Sequence, residues 1–406
     1  MPSSVSPPLG RKTLVECVGV ALGAIVVSAY LHSPWLSPNI YSDIWSFWSR
    51  SWVAAGQVPY SSSSAFLEYP PVSGVLLYGS RVVGGIIAGV VGGLYAGYYI
   101  SFSAFSVAAA AVLGWSTWRL AKALGVTLNP LYFLLPSMFV YGVYNFDLFD
   151  ALFIVLTLQL FVERRRDLSA VALGAAIATK FVGAVLLPIL LMELAGWKVR
   201  VRYLVVTALC GAAFFVPIAI YNWGYFSQFL SFYSNWGLED AWYIWIFIDQ
   251  FSSAAKWFGI VLLAVLLLRI YTLKIRLVPK SFLAIGAYFL ATYIYAPQFN
   301  LTLIPLAAVL AVTTPVIYTW ELFNALIILT WFWYPNPTHA WTLPQAMALL
   351  RSASLALLGM SVAAAEGHSV VKWLRHPSLG GPSLTTPGQT TLDSPTASKK
   401  STEDSA

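Results

Sequence analysis

The chain has 406 residues, of which 59% are apolar and only 10% charged, where a soluble domain carries about 25% charged residues. Apolar runs near 20 residues recur from Leu14 to Ala365, which excludes a soluble domain and predicts an all-α, polytopic membrane protein. The alternation of a β-barrel is missing, and at this hydropathy a net charge of +7 belongs to cytoplasmic loops, so no nucleic-acid partner is expected.

Taken in order, residues 1–13 read as a Pro/Ser-rich cytoplasmic segment ending in Arg11 and Lys12. Residues 14–376 form the transmembrane domain, and 377–406 a disordered Pro/Ser/Thr/Gly-rich tail. The first span is 14–31, uncleaved, and 32–71 then lie outside. Residues 72–83 are too few to cross and read as a helix at the outer interface. Further spans are expected at 86–117, 131–146, 151–163, 203–221, 254–272, 281–296, 301–319, 321–334 and 343–365, about ten full crossings in all. The last leads to Lys372 and Arg375. The block 168–196 has basic residues at both ends and is too short for two crossings of about 20 residues each. It reads as a re-entrant pair of half-length helices with Thr179-Lys180 at the tip. Broken helices are tolerated at membrane depth where protein or a wet cavity surrounds them.

In this arrangement most Lys and Arg fall on the cytoplasmic side, as do both termini; Arg50, Arg81, Lys180, Lys256 and Arg351 are the exceptions. Asp43, Glu68, Asp147, Asp150, Glu239, Asp240 and Asp249 fall outside. The membrane is a cell membrane, or the endoplasmic reticulum in a eukaryote. Cys17 and Cys210 lie inside apolar runs and read as packing residues.

The chemistry concentrates in 39–71. Residues 42–55 read as a helix with Ser42 as N-cap. Ile44, Trp45, Trp48 and Trp52 share a face suited to lying on the membrane, while Asp43, Phe47 and Arg50 share another that turns towards a cavity. Near a helix start Asp43 is favoured as the anion, serving either as a proton acceptor or simply as a cap. Glu68 is presented rigidly by Tyr69-Pro70-Pro71, again either functional or a solvated loop acid. Asp147 and Asp150, three apart, share a helical face and either bind a sugar or metal or terminate two helices. Lys180 is a lone cation in an apolar block, where a charge marks function by default. It suits a headgroup phosphate, with a snorkelling or carboxylate-paired lysine as the alternative. Glu239 and Asp240 sit in an aromatic outer segment, and Gln298 either bonds a ligand hydroxyl or caps the next helix. His32, His339, His368 and His376 are scattered and make no metal triad.

Tyr41-Ser42-Asp43-Ile44, Gly56-Gln57-Val58-Pro59-Tyr60 and Glu68-Tyr69-Pro70-Pro71 together resemble the first outer loop of GT-C superfamily glycosyltransferases. Within that superfamily they are most like the polyprenyl-phosphate-mannose-dependent mannosyltransferases, including the enzyme that adds the first mannose of GPI anchors and its prokaryotic relatives. Asn145 to Asp150 resembles the family's Asn-x-Asp turn, Ala178-Thr179-Lys180 with Pro188 its lysine-then-proline segment, and Ala296-Pro297-Gln298-Phe299 with Pro305 its Pro-Gln-Tyr segment. The likeness runs over roughly 40–310, in shared order.

The resemblance implies an inverting hexosyltransferase with an extracytoplasmic site and a lipid-phosphate-linked sugar, not a nucleotide sugar, as donor. Asp43 would be the base and Glu68 a second catalytic acid. Arg81, Asp147, Asp150, Lys180, Glu239, Asp240 and Gln298 would bind substrate, with Lys180 and Arg81 on the leaving phosphate and Arg50 a weaker third cation. Trp45 stands where the GPI enzymes carry a second aspartate, so no Asp-x-Asp metal site carries over and no divalent cofactor is expected. Membrane lipids and the polyprenyl-phosphate sugar are the expected partners. Two other readings make different demands. A secondary transporter calls for internal repeats and midplane broken helices, and a non-catalytic lipid-binding protein would not need Asp43.

Overall fold

In the computed structural model the described residues are 9–367, apart from 63 and 313 and the side chains of 225, 226 and 230. Lys372, Arg375, His368, His376 and the tail at 377–406 lie outside them. Among the described residues the protein is all helical, with one isolated bridge between Glu239 and Ile294. Six helices are long and apolar enough to cross a membrane.

The first, α1 (Arg11–Leu31), is followed by two short helices, α2 (Asp43–Trp48) and α3 (Ser51–Ala54). The Ser42 hydroxyl accepts from the Ile44 N–H, the capping expected at that position. Next come α4 (Pro71–Val91) and α5 (Leu94–Leu124). Residues 72–83 are therefore not a short helix by themselves: α4 begins at Pro71, where a missing N–H costs nothing, and runs on for 21 residues. It stops at Gly92 and Gly93, whose φ of 90° and 121° glycine adopts without strain. The sharp turn folds α4 back along α5 so closely that a Cβ on Gly97 would stand 2.1 Å from the Gly84 carbonyl oxygen. Length suits α4 for a crossing, and its first four turns run beside the site elements. Near its start Ser73 donates to the Thr179 carbonyl, and Gly84 abuts Gly97 and Tyr98, whose hydroxyl donates to the Ile44 carbonyl.

The expected span at 131–146 is instead a 3-10 turn (Pro130–Leu134) and a one-and-a-half-turn helix, α6 (Pro136–Tyr141), divided at Pro136. Two half-length helices follow, α7 (Asp147–Val162) and α8 (Arg166–Thr179). The chain breaks at Lys180 before a 3-10 turn (Phe181–Val185) and α9 (Leu186–Glu193), so the lysine stands at the tip of the broken pair. Then come α10 (Trp197–Tyr221), α11 (Trp223–Asn235), α12 (Ile244–Phe247), α13 (Ser253–Thr272) and α14 (Leu277–Ala291). The expected span at 301–319 is again broken: a 3-10 turn (Pro297–Thr302) leads into α15 (Ile304–Leu310), which ends at Ala311 with φ 46°. The chain closes with α16 (Val316–Trp331) and α17 (Leu343–Ala365).

Beside the sequence expectation of about ten full spans, the described residues hold six helices long and apolar enough to cross and a set of shorter apolar ones. The short pieces are too short to cross alone, and α7, α8 and the turn at 297–302 are buried among the others. Small residues let the long helices touch. Cys17 donates its thiol to the Gly114 carbonyl, and Cys210 to the Val171 carbonyl beside Gly174, consistent with packing roles for both cysteines. One end of the bundle gathers the basic loops. Arg119 pairs with Glu163 at 2.8 Å, Arg202 with Asp167 at 2.5 Å, and Arg276 with Glu366. The other end holds the cavity.

Candidate functional site

Seven segments converge on a cavity of about 680 Å³. Every candidate catalytic or substrate-binding residue named from the sequence lines it except Arg81. Arg81 donates from Nε and Nη2 to the Ala54 carbonyl and lies over the Trp48 ring, outside the cavity. Its helix face looks towards the 51–56 turn, so the expected contact with a phosphate is replaced by a loop clamp.

The helix expected over 42–55 is broken at 49–50 into α2 and α3; Asp43 and Phe47 of α2 and Arg50, at the head of α3, still face the cavity together. The opposite face differs from expectation: Ile44 of α2 and Trp52 of α3 are buried in the protein, and Trp48 packs on Tyr95 and Tyr98. The tryptophans bind this loop to α5 more than to lipid, because the α4–α5 pair rises beside it.

Asp43 is half-buried, with one carboxylate oxygen, Oδ2, accepting from Asn145 Nδ2 at 2.8 Å. The same Nδ2 lies 2.7 Å from the Tyr69 hydroxyl, and Asn145 Oδ1 accepts from the Phe146 N–H at 2.6 Å. Asn145 is itself fully buried and so cannot swing away. Burial pushes the Asp43 carboxyl up to about 7; the negative charges of Glu68 and Glu239 push the same way, while hydrogen bonds from Tyr41 and Asn145 oppose. The result is a carboxylate far more basic than an exposed aspartate.

Glu68 also faces the cavity, but both its oxygens are taken: Arg50 donates Nη1 to Oε2 and Nη2 to Oε1, each at 2.6 Å. This forked pair lies alongside Phe47, with the guanidinium 4.7 Å from the ring centroid. It leaves Glu68 as a holder of Arg50 and a source of negative charge near Asp43.

At the start of α7, Asp147 is paired with Lys180, whose Nζ stands 2.8 Å from Oδ1 and 2.9 Å from Oδ2. The ammonium lies 4.4 Å from the Phe299 ring centroid and 5.5 Å from that of Tyr69. Asp150 accepts from the Thr302 hydroxyl at 3.3 Å. Gln298, from the same 3-10 turn as Thr302, lines the wall beside them.

The third group comes from the loop before α12. Glu239 accepts from Trp236 Nε1 at 2.8 Å, and its carboxyl is raised by burial. Asp240 accepts from Gln345 Nε2 at 2.9 Å, and burial pushes it up to about 7 against the pull of Arg351. One face of α11 closes this side with Phe229, Phe232 and Tyr233, joined by Trp236 just after the helix.

Three buried residues without an expected role, Arg351, Glu321 and Asn145, support the cavity from behind. Arg351 donates from Nη2 to the carbonyls of Asp240 and Tyr295 at 2.9 and 2.7 Å, and from Nη1 to Asn324 Oδ1 at 3.1 Å. Glu321 accepts from the Ser137 N–H and from Asn300 Nδ2, at 2.9 and 3.0 Å. Asn145, the third, carries a sequence signal, since it opens the Asn-x-Asp turn. The charges of Arg351 and Glu321 inside apolar runs were a second signal.

The cavity holds six acids and two basic side chains, Arg50 and Lys180, each basic group already paired with a carboxylate. Among the described residues, no three His, Cys, Asp or Glu side chains converge as metal ligands do. A base of raised pKa, two buffered cations and aromatic walls suit proton abstraction from a hydroxyl next to a polar, partly apolar substrate. No protein-family model matches the chain, and no curated protein matches it. The resemblance to GT-C transferases accordingly rests on the ordered motifs alone.

Proposed function

We propose that the protein is an inverting glycosyltransferase that moves a hexose, mannose in the first instance, from a polyprenyl-phosphate carrier to a hydroxyl of a lipid or glycan acceptor. The observation that carries this reading is Asp43, held by Asn145 and opening on a cavity of about 680 Å³. That volume suits a hexose with its phosphate. An oriented carboxylate with a pKa of about 7 is well matched to general-base work near neutral pH.

In the reaction, the acceptor hydroxyl lies within about 3 Å of Asp43. Asp43 takes its proton while the oxygen attacks the anomeric carbon from the side opposite the phosphate. The bond from that carbon to the phosphate oxygen breaks, and its electron pair leaves with the polyprenyl phosphate. Cationic groups stabilise the departing charge, and Arg50 is the cation on the cavity wall best placed for that task. The aromatic face of α11 and the rings of Trp331 and Phe332 suit the carrier's apolar chain. The basic loops gather at the opposite end of the bundle, and the positive-inside rule then turns the site to the extracytoplasmic face.

The test is transfer of radiolabelled mannose from polyprenyl-phosphate mannose by the protein in membranes, with and without Asp43→Asn. Loss of transfer in the variant with an unchanged amount of folded protein supports the reading. Undiminished transfer overturns the base, and no transfer by the wild type from any lipid-phosphate hexose overturns the activity.

A further inference from the structure

The floor of the cavity does not look like a phosphate site. Lys180 carries its charge against Asp147, at 2.8 Å, and Asp150 lies one helical turn further along the same face of α7. A phosphate brought to this ammonium would meet two carboxylates around a single cation, an unfavourable exchange. The groups left over are of another kind. Asp150 is fully buried and its Oδ1, in a residue that lines the cavity, has no hydrogen-bond partner. Both oxygens of Asp147 touch the ammonium, at 2.8 and 2.9 Å. An ammonium has three N–H donors and a carboxylate oxygen two lone pairs, so this pair keeps capacity for a further donor and a further acceptor. A buried acceptor without a donor is costly, so these atoms call for a ligand that both gives and accepts hydrogen bonds and carries no charge.

From this geometry we infer that Asp147, Asp150 and Lys180 form a polyol subsite, which reads two neighbouring hydroxyls of a sugar ring. One hydroxyl donates to Asp150 Oδ1. Its neighbour donates to Asp147 Oδ1 and accepts from Lys180 Nζ. Phe299, with its ring 4.4 Å from the ammonium, offers a flat apolar face for the C–H side of the ring. Thr302 fixes Asp150 through its other oxygen, Oδ2. The assignment rests on the transferase reading for the identity of the sugar, and it leaves Arg50 as the cation for the phosphate.

The experiment measures binding without turnover, using the full chain in nanodiscs. The probes are polyprenyl-phosphate mannose, polyprenyl phosphate and methyl α-mannopyranoside, followed by quenching of tryptophan fluorescence, since Trp236 and Trp331 line the cavity. Asp150→Asn is expected to weaken the mannose-bearing lipid and the free glycoside at least tenfold while leaving polyprenyl phosphate unchanged. Thr302→Val, which keeps the carboxylate and loosens it, is expected to act in the same direction by a smaller factor. Equal weakening of both lipids, or no change in any probe, overturns the subsite. If the wild type binds neither lipid, the lipid-phosphate donor is wrong. The subsite then stands only if the free glycoside binds the wild type and not Asp150→Asn, and it falls if the glycoside binds neither.

Discussion

Asn145 grips Asp43 through a single 2.8 Å hydrogen bond from its amide nitrogen, and its own carbonyl is pinned by the Phe146 N–H at 2.6 Å. The bond favours the carboxylate, while burial and the charges of Glu68 and Glu239 disfavour it, leaving the group near 7. Only the deprotonated form can accept a proton. Transfer by the wild type should therefore rise with pH, with its midpoint near 7, and fall about tenfold per pH unit well below it. Asn145→Ala removes a bond to the charged form, so the midpoint should move upward. The pH profile of kcat/KM checks both statements. A profile that is flat from pH 5 to 8 in the wild type would remove Asp43 as the base.

Glu68→Gln predicts the opposite shift. The Glu68 charge raises the Asp43 carboxyl, so neutralising it should lower the midpoint while transfer persists at higher pH. Complete loss at every pH would instead make Glu68 a catalytic acid. The Arg50–Glu68 pair is only partly buried, with side chains 31% and 17% exposed. A double-mutant cycle on thermal stability should therefore return a coupling of about 1 kcal/mol.

Much of this site could be read from the sequence because an apolar chain makes its acids conspicuous. Asp43, Glu68, Asp147, Asp150, Glu239, Asp240, Lys180 and Gln298 stand out locally, and folding brings all of them to one cavity. Arg81 was equally conspicuous and lies elsewhere, because local sequence does not say towards which neighbour a helix face turns. Asn145 carries no charge and was easy to pass over as part of a turn. The partners of Arg351 lie 27 to 111 positions away, so no window of sequence contains them. Helix lengths were misjudged for a related reason. Apolar runs at 131–146 and 301–319 suit a membrane, but Pro136 divides the first, and Pro305 and the left-handed Ala311 divide the second, into pieces that only surrounding protein can satisfy.

The close approach of α4 and α5 makes a separate prediction. A Cβ on Gly97 would meet the Gly84 carbonyl oxygen at 2.1 Å, and that atom is backbone and cannot rotate away. Gly97→Val should push the two helices apart at a cost of about 1–3 kcal/mol. Because Pro70, at the head of α4, lines the cavity, transfer should fall as well. Thermal unfolding in detergent and the transfer assay read the two effects, and a variant as stable and active as the wild type would show that the contact is not needed.

Arg351 makes the most demanding prediction. Its guanidinium is fully buried, 3.5 Å from the Tyr295 ring centroid, and joins Asp240, Tyr295 and Asn324 from three different segments. Asp240 stands there at φ 54°, in the left-handed region that few side chains other than Asn and Asp adopt. Arg351→Met keeps most of the volume but leaves two backbone carbonyls and the Asn324 amide oxygen without their donor. Each buried acceptor so abandoned costs about 1–3 kcal/mol, so the variant should lose about 3 kcal/mol or more. Arg351→Lys should recover little, because one ammonium cannot reproduce a planar fork aimed at three acceptors. The Asp240 loop should relax in both variants, detaching Glu239 and Asp240 from the cavity wall and reducing transfer even at temperatures where the protein stays folded. Thermal unfolding against transfer at low temperature separates the two effects. A lysine variant with wild-type stability would mean that the charge alone, and not the fork, holds these segments together.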